Sequence, residues 1–69
     1  MKSISGKQLA KLLERRGWKL NRIRGSHHIY TKPGSTTRIS VPIHGNKDLK
    51  IGLLRHFMRQ ADLTESDLE

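Results

Sequence analysis

The chain has 69 residues, 14 Lys and Arg against six Asp and Glu, a net charge of +8 and no cysteine. That length implies one domain over residues 1–69, with a small core worth only about 3–5 kcal/mol. Disulfides and thiolate metal sites are excluded, and there is neither an apolar run long enough to cross a bilayer nor a signal-peptide core, so a cytoplasmic protein is expected.

The charge is unevenly placed. The first 47 residues hold a single acid, Glu14, and the other five (Asp48, Asp62, Glu65, Asp67, Glu69) lie in the last 22. A domain with a pI near 10.7 and clustered cations has the footprint of a nucleic-acid binder. An anionic membrane surface fits less well, because a membrane-lying helix needs aromatic anchors that Trp18 and Phe57 do not supply.

Residues 4 to 16 read as a helix. Ser5 is a good N-cap, and Gln8 completes a capping box; Ile4 and Leu9 suit a hydrophobic staple across it. Leu9, Leu12 and Leu13 form one apolar stripe. Gly17 then supplies the stop. Trp18 to Arg24 reads as a strand with Trp18, Leu20 and Arg22 on one face and Lys19, Asn21 and Ile23 on the other. Gly25-Ser26 turns the chain into a second strand, His27 to Lys32. Pro33-Gly34-Ser35 is a further turn, and Thr36 to Ile43 is the third strand, with Ile39, Val41 and Ile43 on one face. Pro42 cannot donate to a ladder, so this strand lies at an edge or ends there.

A polar connection from His44 to Asp48 leads to a second helix, Lys50 to Ala61. Its stripe is Ile51, Leu54, Met58 and Ala61, widened by Leu53 and Phe57. Gly52 lowers helix propensity in the first turn, so close approach of another backbone is the expected reason for it. Thr64 opens a last short turn, with Asp67 three residues on as a capping partner. The order is α-β-β-β-α. This is an α+β fold in which two amphipathic helices cover one face of a three-stranded antiparallel sheet and leave the other open.

Gly25-Ser26-His27-His28 is the stretch best suited to phosphate chemistry. The turn leaves backbone N–H groups free for an anion, and imidazole titrates near neutral pH. Neighbours on a strand point to opposite faces, so one histidine at most enters a site there. If the Tyr30 side packs against the helices, His28 goes with it and His27 looks out from the open face. Arg22 and Arg24 precede the turn, and Lys47 and Lys50 flank the start of the second helix, whose N–H groups can face a phosphate. The alternative is a polar hairpin with two exposed histidines and solvated cations. No histidine pair has the spacing of a metal motif, so no metal and no cofactor are expected.

Several stretches together resemble the HicA toxins of bacterial toxin–antitoxin pairs. They are Gly25-Ser26-His27-His28-Ile29-Tyr30, Val41-Pro42-Ile43-His44, Lys47, Leu49, Gly52-Leu53-Leu54 and Gln60-Ala61-Asp62-Leu63. Ser3, Leu9, Leu13-Glu14 and Gly17-Trp18 are similar too, so the resemblance covers nearly the whole chain. Asp62 stands where the family more often has glycine, and Leu53 where threonine is common. The resemblance implies a fold like that of double-stranded-RNA-binding domains and a metal-independent, ribosome-independent endoribonuclease acting on mRNA. It also implies a HicB-type antitoxin as partner. The histidine directly after Gly-Ser, His27, would be the catalytic acid or base; Gly25, Ser26, His28, Arg24, Lys47 and Lys50 would contact the RNA. The competing reading is a non-catalytic module that binds double-stranded RNA by shape.

Overall fold

The structure is a computed structural model that describes residues 2–68; Met1 and the acidic Glu69 lie outside it. Helix α1 spans Gly6–Arg15, strands β1, β2 and β3 span Lys19–Arg24, His27–Thr31 and Arg38–Pro42, and helix α2 spans Ile51–Ala61. A short 3-10 turn, Glu65–Leu68, follows. The three strands form one antiparallel sheet in chain order, so the expected α-β-β-β-α architecture is observed.

Helix α1 is set by local chemistry at both ends. The Ser5 hydroxyl accepts from the Gln8 backbone N–H at 3.2 Å while Gln8 Oε1 accepts from the Ser5 N–H at 2.9 Å, closing the capping box. At the other end the Trp18 N–H donates to the Leu13 carbonyl and the Gly17 N–H to Glu14, a Schellman stop with Gly17 at φ +90°. Trp18 is thereby delivered into the core. Ile4 and Arg16, read as helical ends, belong instead to the flanking caps.

The core lies between the helices and one face of the sheet. Leu9, Leu13, Ile39, Val41 and Leu54 are fully buried, joined by Trp18, Tyr30, Phe57 and Met58. The α2 stripe begins one turn later than its sequence pattern, because Ile51 and Leu53 are exposed. Gly52 has nothing near its missing side chain, so the close approach expected there is absent. That role belongs to Gly6: a Cβ at this position would sit 2.2 Å from the Pro42 carbonyl oxygen. The first turn of α1 therefore rests directly on the end of β3.

The face pattern expected for β1 is also corrected. Lys19 pairs with Thr31 and Leu20 with Tyr30, but the next pair is Arg22 with Ile29. An irregularity at Asn21 breaks the strict alternation, as a β-bulge does. Arg22 and Arg24 consequently share a face with Lys19, and Leu20 and Ile23 turn to the helix side. Both apolar residues stay exposed there, beyond the cover of the helices.

Candidate active site on the open face

The hairpin between β1 and β2 has two loop residues, Gly25 and Ser26, between the paired Arg24 and His27. Only the first of them has positive φ, Gly25 at +59°, as a type II′ turn requires. No heavy atom lies within 4 Å of where a Gly25 side chain would begin, so its presence answers to backbone angle rather than crowding. The turn is fastened to the end of β3 by the Ile43 N–H, which donates to the Ser26 carbonyl at 2.8 Å. His27, the first residue of β2, is thus held from both sides of the sheet.

Register decides which way each histidine points. His28 pairs with Val41 and Tyr30 with Ile39, and Tyr30, Ile39 and Val41 are buried. His28 is half-buried on that helix side. His27 pairs with Pro42 and with Arg24, and faces solvent on the opposite side. Because Ser26 and Ile43 form the hydrogen-bonded pair, His27 and Pro42 form a narrow, non-hydrogen-bonded one with Cα atoms about 4.5 Å apart. The missing N–H of Pro42 would point away from β2, so the proline costs the ladder nothing.

A hollow of about 180 Å³ lies against Pro42, lined also by His44, Lys47, Asp48, Lys50 and Leu53. Through Pro42 it adjoins His27. Of the residues singled out in the sequence, Arg24, Gly25, Ser26 and His27 are therefore brought together at the hairpin end of the sheet. Lys47 and Lys50 join through the neighbouring hollow, and His28 lies on the other face. Lys50 is the N-cap of α2 and makes no side-chain capping bond, which leaves the first N–H groups of that helix without a side-chain acceptor. Other hollows, of about 240 and 350 Å³, flank α1 and contain no histidine.

Tyr30 faces away from His27. It is 2% exposed on the helix side, and burial, with a smaller contribution from the Glu14 charge, raises its phenol above the ordinary 10.0. Among the described residues no three His, Asp or Glu side chains gather in a way that could hold a metal ion. No helix among them is long and apolar enough to cross a membrane.

Lys19, Arg22, Arg38 and Ser40 carry weaker signals in the sequence than the hairpin residues do. The register puts all four on the open face with His27. For Arg22 that signal is masked by the bulge, which shifts it by one residue relative to the simple alternation; the other three keep the faces that alternation gives them.

Comparison with known proteins agrees with this architecture. Residues 6–63 match the family model of the HicA toxin of bacterial toxin–antitoxin systems. Among solved structures, a chain of a HicA3 and HicB3 toxin–antitoxin complex is similar at 30% identity and a TM-score of 0.67, with 86% of this chain and 94% of that one covered. No curated protein matches the chain in a direct sequence comparison. With the matched family model spanning both helices and the whole sheet, the chain belongs to the HicA toxin family.

Proposed function

We propose that this toxin is an endoribonuclease that cleaves mRNA without a metal ion and is held in check by a HicB-type antitoxin. The observation that carries the reading is the placement of His27: exposed, on the open face, beside Arg24, and anchored by a turn tied to β3. The similar chain comes from a HicA3 and HicB3 toxin–antitoxin complex, which supports the partner.

RNA brings its own nucleophile. The 2′-hydroxyl oxygen attacks the adjacent phosphorus, its proton passes to an imidazole, and the 5′-oxygen leaves with a proton from a second group. The products are a 2′,3′-cyclic phosphate and a 5′-hydroxyl. His27 supplies one of these proton transfers, a contribution of roughly 10²–10⁴-fold in rate. The Arg24 guanidinium, directly across the strand pair, faces the charge that builds on the phosphoryl oxygens. The second transfer is assigned to His44, which is exposed and lines the hollow against Pro42. Lys47 and Lys50 in that hollow hold flanking phosphates. His28, on the helix side, orders the strand rather than touching the RNA.

The test is cleavage of an end-labelled single-stranded RNA in excess EDTA by the wild-type protein and by His27→Ala. Cleavage by the wild type alone, leaving cyclic phosphate ends, is the expected result. Equal cleavage by both removes His27 from the chemistry. RNA bound by both but cut by neither makes the domain a non-catalytic RNA-binding module.

A further inference from the structure

The open face carries more than the hairpin end. Read across the sheet, its side chains form three rows: Arg24, His27 and Pro42; Arg22, Ile29 and Ser40; Lys19, Thr31 and Arg38. Four of the nine are cations, and none is an acid. Indeed no acid occurs anywhere between Arg15 and Lys47. All of β1 is exposed, as are Arg38 and Ser40.

The exposed cations of α1 make a useful contrast. Lys7, Lys11 and Arg15 also fall on one helix face, at a spacing of four. There, however, Asp48 lines a hollow with Lys7 and Lys11, and Asp67 lines one with Lys11 and Arg15. Asp67 is moreover in an ion pair with Arg16. Carboxylates therefore offset the field along α1, whereas none of the nine open-face positions carries one.

We infer that the open face is a track for single-stranded RNA, running along the strands from the row of Lys19 and Arg38, past Arg22, and delivering the scissile phosphate to His27. The inference rests on the nuclease reading and adds the route by which the substrate reaches it. Three strands are about 10 Å across, and strands of five or six residues about 17–20 Å long. One extended backbone fits that width. Successive rows are about 6.6 Å apart, a step comparable with that of an extended nucleotide chain. The face has no aromatic platform, only Ile29 and Pro42 among apolar groups, so it grips phosphates and leaves base identity largely unread.

The experiment uses two triple variants that remove equal charge: Lys19→Gln with Arg22→Gln and Arg38→Gln, and Lys7→Gln with Lys11→Gln and Arg15→Gln. Both are made in the His27→Ala background, so binding is read without cleavage. Fluorescein-labelled single-stranded RNA is titrated at several salt concentrations. Each lost phosphate contact should lower the slope of log K against log salt by about 0.7, or about 2 for the open-face triple. The α1 triple should change the slope far less. Thermal unfolding checks that both variants fold, and all six substituted side chains are exposed. Equal slopes for the two triples, or a larger loss from α1, overturns the track. So does an open-face triple that binds RNA normally and fails only to bind the antitoxin. If the wild type cleaves while the open-face triple binds normally, the track alone fails. If the wild type never cleaves but the open-face triple loses RNA, the nuclease reading alone fails.

Discussion

The two faces of one five-residue strand, β2, do different work. Toward the helices it presents His28 and Tyr30, paired with Val41 and Ile39, and that side is apolar and largely closed. Toward solvent it presents His27, Ile29 and Thr31 among Arg22, Arg24, Lys19 and Arg38. Two adjacent histidines of the same chemical type thus have unlike surroundings. The difference teaches that here adjacency in sequence means separation in space, because side chains alternate across a strand. Stability resides on one face and the proposed chemistry on the other, so each can be changed with little cost to its counterpart.

The contrast can be broken most strongly from the buried side. Ile39→Ala removes a fully buried side chain and should cost about 2–5 kcal/mol, on the scale of the whole stability of so small a domain. Urea or thermal unfolding should show a chain at or past its folding limit. A marginal loss would mean that the core collapses around the gap.

Gly6→Ala tests where the two faces are joined. The new Cβ would meet the Pro42 carbonyl at 2.2 Å, a backbone contact that cannot be relieved by a side-chain rotation. The expected loss is about 1–3 kcal/mol, as for other overpacked sites. Because Pro42 stands opposite His27, cleavage per folded molecule should fall as well. Lost stability with unaltered cleavage would show that the β3 end does not position the site.

Asp62→Gly should move stability the other way. Asp62 occupies the left-handed region at φ 56°, with the Leu63 N–H donating to the Met58 carbonyl as in a Schellman stop. Relief of that conformation is worth up to about 1 kcal/mol, partly offset by the greater freedom of glycine in the unfolded chain. A higher urea midpoint at constant m is expected, and unaltered cleavage, since Asp62 belongs to no strand of the sheet and does not line the hollow against Pro42.

The smallest effect concerns Tyr30. Its folded pKa is raised above 10.0, so the folded state holds the proton where the unfolded chain releases it. That stability is fully present below pH 10 and is lost as pH rises through the folded value. Tyr30→Phe should flatten the alkaline arm of a stability profile and leave cleavage at neutral pH unaltered.

Much of this was legible in the chain because its determinants are local. Ser5 and Gln8 are three residues apart, Gly17 ends its own helix, and Gly25-Ser26 specifies a two-residue turn. The alternation of β3 reads directly as Ile39 and Val41 in, Arg38 and Ser40 out. The choice between His27 and His28 was conditional, and it turned on whether Tyr30 packs inward. What stayed hidden depends on contacts distant in sequence. The Asn21 irregularity reverses the faces of the second half of β1, and nothing in Lys19-Leu20-Asn21-Arg22 announces it. Gly6 looks like one more residue of a helix start until β3 is laid against it, whereas Gly52, which looked crowded, stands open.

The most direct test sets one substitution on each face side by side, His27→Ala and Ile39→Val, measuring the unfolding midpoint and RNA cleavage per folded molecule in excess EDTA. His27→Ala should retain the wild-type midpoint and lose cleavage. Ile39→Val should lower the midpoint, by about 0.5–1.5 kcal/mol in stability, and cleave at the wild-type rate. A His27→Ala protein that cleaves normally, or that unfolds as readily as Ile39→Val, would contradict the division of labour between the two faces.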